Sequence, residues 1–134
     1  MFFSDTTEYA LRALTYLAQR EGGRVSVREL HDALGIPQKY LGAVMARLVG
    51  KGLLCSRRGI GGGFQLVVDP EQLTVFQIAD AVQDVSPYAA CLMGLPSCSD
   101  EAPCALHHLL GPHRDALIAV MHKTTLADLA REAR

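Results

Sequence analysis

Cys91, Cys98 and Cys104 form a C-x6-C-x5-C series, and His107 and His108 follow the last of them by one helical turn. Thiolates are soft donors suited to iron, zinc and iron–sulfur clusters. Asp5 and Glu8 precede the first basic residue, Arg12, so a secretory leader is not expected. The expected compartment is therefore the reducing cytoplasm, where an odd set of clustered cysteines does not read as a disulfide framework. A zinc knuckle normally uses tighter C-x2-4-C pairs, whereas thiolates spread over a loop can wrap a cluster. Zinc and a simple redox thiol pair stay open as alternatives. Cys55 stands alone in an apolar run and reads as packing. His31, His113 and His122 are scattered and receive no chemical role.

A second group of residues suits a polyanion. Between Arg24 and Arg58 lie seven Lys/Arg against Glu29 and Asp32, a net of +5, while residues 69–134 carry four against nine, a net of −5. The whole chain is nearly neutral at −1, so the asymmetry carries the information. An unevenly charged solvated surface is the plain alternative. Within the basic half, Gln38, Lys39, Tyr40 and Arg47 sit close together, and Arg57 and Arg58 adjoin a glycine-rich stretch.

These residues need elements to hold them. Asp5 and Glu8 have the spacing of a helix start, with one carboxylate capping, and Ala10, Leu11, Leu14, Leu17 and Ala18 supply one helical face up to Gly22-Gly23. Ser26 and Glu29 make a capping box for a short helix that Gly35 stops. Pro37 can open the next helix, with Leu41, Val44, Met45 and Leu48 as its stripe and Gly50 and Gly52 at its end. Two short helices joined by Gly35-Ile36-Pro37 predict a helix-turn-helix. Its second helix would enter the major groove N-terminus first, presenting Gln38 to adenine and Lys39 to guanine or phosphate. Tyr40 and Arg47 are better placed for the DNA backbone.

Two apolar runs, Leu53–Cys55 and Phe64–Val68, flank Arg57, Arg58 and four glycines, predicting a β-hairpin wing whose arginines can enter a narrow minor groove. Thr74 caps a further helix through Val82. After a loop of about 20 residues, a length usually reserved for function, helical spacing resumes at Ala105. Its apolar positions run from Leu106 to Met121 and on to Leu126 and Leu129, with Pro112 bending or restarting the helix. That much apolar surface suggests a dimer helix, with an intramolecular core helix as the alternative. The expected organisation is 1–84 winged helix-turn-helix, 85–104 cysteine-containing sensor loop and 105–134 dimerisation region.

Composition agrees. Apolar residues make up 49% and aromatics 6% with no Trp, excluding a disordered chain and disfavouring an aromatic-rich sandwich. The longest charge-free run, 85–99, holds Pro87, Gly94 and Pro96 and is too short and broken for a membrane span. The fold class is thus mainly α with a small β-hairpin wing.

The first-helix segment Ala10-Leu11-Arg12-Ala13-Leu14, the wing Arg58-Gly59-Ile60-Gly61-Gly62-Gly63-Phe64-Gln65-Leu66 and the Cys91/Cys98/Cys104/His107 set together resemble the Rrf2 family of bacterial regulators, which has IscR-like, NsrR-like and RirA-like branches. The resemblance spans essentially the whole chain. It implies a winged-helix homodimer on a palindromic operator in double-stranded DNA, paired through the C-terminal helix. It also implies an iron–sulfur cluster that tunes DNA affinity, held by Cys91, Cys98 and Cys104. His107 matches the fourth ligand of the IscR-like branch, and Glu8 falls where the NsrR-like branch places an acidic ligand from the partner's first helix; Glu8 is slightly favoured. Both residues are present, so 2Fe-2S and 4Fe-4S clusters stay open. The expected function is a non-enzymatic transcription regulator sensing iron, redox state or nitric oxide. The alternatives are the same regulator with a thiol switch or zinc, and a small metal-dependent redox protein.

Overall fold

A computed structural model describes residues 2–20, 22–96 and 99–132. Six helices and one two-stranded hairpin follow in the order α1 (Asp5–Gln19), α2 (Val27–Leu34), α3 (Gln38–Gly50), β1 (Leu54–Arg57), β2 (Gly63–Leu66), α4 (Val75–Val82), α5 (His107–Lys123) and α6 (Leu126–Glu132). A 3-10 turn at Ser86–Ala89 opens the connection from α4 to α5.

α1 is the central rod. Its Ala10, Ala13, Leu14 and Leu17 face is buried against α2, α3, α4 and α6. The cap differs from expectation: Ser4, whose Oγ accepts from Thr7 N–H at 3.2 Å, holds that position. Asp5 and Glu8 instead occupy the first turn, where a carboxylate meets the positive end of the helix dipole. Ser26 caps α2 as expected. The Glu29 carboxylate, however, turns outward to Arg20 at 2.6 Å, so only half of the capping box forms. Gly35, at φ 71°, ends α2, and Pro37 occupies the cap of α3. Leu30, Ile36, Leu41, Met45 and Leu48 are almost fully buried, locking the helix-turn-helix onto α1.

The hairpin pairs Leu54 with Leu66 and Arg57 with Gly63, so both strands end nearer the tip than the apolar runs suggested and Arg57 joins the ladder. Two glycines fix this wing. A Cβ on Gly62 would lie 2.3 Å from the Arg57 carbonyl oxygen, and one on Gly63 2.6 Å from the Val25 carbonyl oxygen. The second approach exists because Val25 and Phe64 exchange backbone hydrogen bonds of 2.9 and 2.8 Å, tying the wing to the segment ahead of α2.

The C-terminal region departs most from the sequence reading. α5 runs unbroken through Pro112 and stops at Lys123. The chain then turns, and α6 packs back on α1. Leu126 is fully buried and its N–H reaches the Leu73 carbonyl at 2.7 Å. Leu126 and Leu129, expected to prolong the dimer helix, therefore belong to the interior around α1 and α4. Among the described residues no helix is long and apolar enough to cross a membrane.

Candidate nucleic-acid interface and cysteine loop

The buried stripe of α3 turns its opposite face outward. Gln38, Lys39, Tyr40 and Arg47 are all exposed there, as are Arg57 and Arg58 on the wing. Gly42, Ala43 and Ala46 occupy the middle of that face, so bulk near the helix axis is small and the helix can sit deep in a groove about 12 Å wide. Tyr40 leans on Tyr9 of α1, ring centroids 6.2 Å apart, beside a groove of about 400 Å³ between α1 and α3 whose lining includes Arg47.

Ion pairing distinguishes these cations from three arginines elsewhere. Arg20, Arg114 and Arg131 each hold a carboxylate, on Glu29, Asp115, and both Glu71 and Asp128 respectively. Lys39, Arg47, Arg57 and Arg58 take part in none of the ion pairs found among the described residues. An unpaired surface cation keeps its full charge available to a phosphate, whereas a paired one must first surrender its carboxylate.

On the far side of α4, the segment after the 3-10 turn folds tightly around one sulfur. Cys91 is buried, at 7% exposure. Hydrogen bonds from the Leu95, Met93 and Gly94 amides and from the Cys104 thiol hold its own thiol below the ordinary range, against the opposing effect of burial. The turn that makes this nest needs Gly94 at φ 77°, with its N–H on the Cys91 carbonyl at 2.9 Å. α5 anchors the turn from outside through Arg114, whose guanidinium donates to the Ala90 carbonyl at 2.8 Å.

Of the proposed ligands, Cys104 lies near enough to Cys91 to help hold its thiol below the ordinary range. Cys98 lies outside the described residues. His107 is joined to Cys104 through its backbone N–H at 3.0 Å, while its ring Nε2 pairs with Asp100 at 2.8 Å. Glu8 sits half-buried on α1. Among the described residues no three His, Cys, Asp or Glu side chains converge as a metal site. Sequence reasoning missed Asp100 and Arg114. Neither stands at a ligand-like spacing, and their roles arise only once α5 is laid beside the loop.

α5 itself has two faces. Gly111, Ile118 and Met121 turn inward, toward Tyr88 and α4, while Leu109, Leu110, Leu117 and Val120 remain 67%, 45%, 50% and 59% exposed. Contiguous apolar surface of this kind on one helix marks an interaction face.

A family model described as Rrf2, iron-dependent transcriptional regulator, matches residues 3–132. The HTH-type transcriptional regulator NsrR of Bacillus subtilis is 30% identical over 133 residues, covering 98% of this chain and 91% of NsrR. Among solved structures, CymR, the global cysteine regulator of B. subtilis, superposes with a TM-score of 0.81 at 29% identity, covering 98% of each chain. The oxidised form of Staphylococcus aureus CymR superposes with a TM-score of 0.77 at 27% identity, over 100% of this chain and 99% of that one.

Proposed function

The chain belongs to the Rrf2 family of transcriptional regulators, and on that premise we propose that it is a cytoplasmic, homodimeric, sequence-specific DNA-binding protein whose operator affinity is set by the chemistry of its cysteine loop. The observation that carries this reading is the buried Cys91, in a turn held by Gly94 and Arg114, on the same chain as a helix and wing whose Lys39, Arg47, Arg57 and Arg58 stand outside the ion pairs found among the described residues. Gln38 reads a base edge, Lys39 meets guanine or phosphate, Tyr40 and Arg47 hold the backbone, and Arg57 and Arg58 reach the phosphates that flank the minor groove beside the wing. The open face of α5 pairs two protomers, so half-sites about 34–36 Å apart make the operator palindromic.

The donor chemistry fits an iron–sulfur cluster, because the turn amides and Cys104 together favour the thiolate of Cys91, the form that ligates iron. Cys91, Cys98 and Cys104 would hold it. A bound cluster would supply iron whose state responds to oxygen, nitric oxide or iron supply. Two candidates complete the set. His107, whose ring Nε2 is held by Asp100 at 2.8 Å, is one; Glu8 of the partner subunit is the other.

The influence of Cys104 on the Cys91 thiol also favours a second reading, a thiol switch without metal, and an oxidised form is described for the similar S. aureus CymR. Two thiols and one hydrogen peroxide would give one disulfide and two waters.

Anaerobic purification followed by a visible spectrum separates the readings. A brown protein that loses its colour in Cys91→Ala supports the cluster, with Glu8→Ala and His107→Ala identifying the fourth ligand. A colourless protein whose DNA affinity follows a peroxide-formed Cys91–Cys104 disulfide supports the switch. Affinity indifferent to both iron and peroxide refutes sensing by the loop.

A further inference from the structure

Thr7 is the one polar residue fully buried among the described residues. A hydroxyl in that position needs a partner, and it finds one far away in sequence. Its Oγ donates to Oε1 of Gln83, the residue that caps the C-terminus of α4. The same oxygen accepts from the Ser4 backbone N–H at 3.3 Å and lies 3.0 Å from the Ser4 hydroxyl. The other end of the Gln83 amide, Nε2, donates to the Tyr88 hydroxyl at 3.0 Å, and that hydroxyl donates to the Phe2 carbonyl at 3.2 Å. The Tyr88 ring, 8% exposed, stacks on Phe2 with centroids 4.8 Å apart and planes at 17°.

One chain of polar contacts thus joins two segments with different tasks. Tyr88 lies in the 3-10 turn, three residues before Cys91, so it moves with the turn that forms the amide nest. Ser4 and Thr7 cap and open α1, the helix against which α3 packs and from which Tyr9 reaches Tyr40. Capping alone does not explain the arrangement. Ser4 already satisfies the Thr7 N–H without Gln83, and α4 could end on any residue whose backbone N–H closes its last turn.

We infer that Gln83 and Tyr88 are positioning residues that carry a change in the cysteine loop to the start of α1 and so to the DNA-reading helix. The inference rests on the sensing function proposed above for that loop. Within a partly buried site each member of such a network holds its neighbours in place, and a network that loses one bond leaves its other polar groups exposed to a desolvation cost. A shift of the 85–91 turn therefore forces Gln83 either to follow Tyr88 or to keep Thr7, and the two ends cannot be held independently.

The test uses full-length protein carrying Cys55→Ser, so that iodoacetamide alkylates only the loop cysteines. Two quantities are read before and after alkylation: amide hydrogen exchange of residues 4–9, and affinity for a duplex selected by the protein from a random library. In this parent, exchange at 4–9 should rise and affinity should change by about tenfold, within the usual range of allosteric coupling. Tyr88→Phe keeps the ring stack and removes only the hydroxyl. Its affinity before alkylation should stay close to that of the parent, while both responses fall below about twofold, of the size expected when coupling is lost. Phe2→Ala keeps the backbone carbonyl and should retain both responses, which a merely structural role for this corner would not allow. If Tyr88→Phe fails to fold, Gln83→Met is read in the same way. Residues 4–9 that ignore alkylation in the parent, or a full response in folded Tyr88→Phe, overturn the inference. An exchange response that reaches residues 4–9 with no change in DNA affinity supports the relay and refutes the sensing function instead.

Discussion

The unpaired cations of α3 and the wing make a quantitative prediction about salt. Lys39, Arg57 and Arg58 on each of two protomers give about six phosphate contacts, and each contact contributes roughly −0.9 to the slope of log K against log salt on B-DNA, a total near −5. Raising salt from about 50 to 200 mM should then cost about three powers of ten in affinity. Each single alanine substitution removes two contacts per dimer and should make the slope less negative by about 1.8. The control comes from the ion pairs. Arg131, on α6 rather than on α3 or the wing, is held by Glu71 and Asp128, so Arg131→Ala should leave the slope unchanged.

Fluorescence anisotropy with a labelled duplex, titrated at five or more salt concentrations, measures both slopes directly. Non-specific duplex belongs in the same series. Phosphate contacts serve any sequence, so Arg57→Ala should lower specific and non-specific affinity alike, whereas Gln38→Ala should relax sequence preference with little change in slope. A triple variant lacking Lys39, Arg57 and Arg58 that keeps the parent slope would refute the assignment of the phosphate contacts to these three residues. A slope altered by Arg131→Ala would equally undo the reasoning from ion pairing.

Four further outcomes follow from other parts of the molecule. Gly63→Ala forces a Cβ to within 2.6 Å of the Val25 carbonyl oxygen at φ 124°, so it should cost about 2–4 kcal/mol, combining backbone strain with the loss of up to two backbone bonds, and weaken DNA binding; urea unfolding and anisotropy check both. Leu126→Ala empties a fully buried site and should destabilise the fold by about 2–5 kcal/mol in urea, whereas a loss below about 0.5 kcal/mol, typical of surface substitutions, would mean that α6 does not belong to the core. Leu117→Glu with Val120→Glu places charge on the open face of α5 and should yield monomers in sedimentation at micromolar concentration; a dimer of unchanged affinity would remove that face as the interface. Asp128, which accepts from the Thr125 N–H at 2.9 Å and lies beside Arg131, has its carboxyl held below the usual range. A depressed carboxylate stabilises the fold above its unfolded value of about 4 and ceases to as pH falls through the folded value, so Asp128→Asn should flatten the loss of stability in that acid window, as followed by circular dichroism.

The parts of the fold legible in the sequence are those governed by neighbours along the chain. Ser26 with Glu29, Gly35 and the stripe Leu41, Val44, Met45, Leu48 each act within a turn or two of helix, so spacing alone located α2 and α3. The wing was legible because two apolar runs flank a glycine-rich stretch, although the close approach of Gly63 to the Val25 carbonyl could not be read. α6 was misplaced for the converse reason. The helical period of Leu126 and Leu129 is the same whether the apolar face meets a partner or folds back. What decides is the turn at Thr124–Thr125, where Thr124 O accepts the Val75 N–H at 2.9 Å and Thr125 bridges to Thr74.

The same distinction separates the two halves of the candidate site. Cysteines advertise themselves by type, so Cys91 and Cys104 could be named before anything was known of their surroundings. What makes Cys91 unusual is three backbone amides, and a backbone amide has no letter in a sequence. The connection from that sulfur to α1 is harder still to read. Ser4, Thr7, Gln83 and Tyr88 are ordinary residues at ordinary spacings, and the contacts of Ser4 and Thr7 with Gln83 cross 76 to 79 positions of chain. Each can be satisfied by water when alone. Only the burial of Thr7 forces the choice of a protein partner, and burial is a property of the packed helices rather than of any one segment. A regulator that must pass a signal between a cysteine loop and a DNA-reading helix will therefore show its sensor and its reader in sequence while hiding the contacts between them.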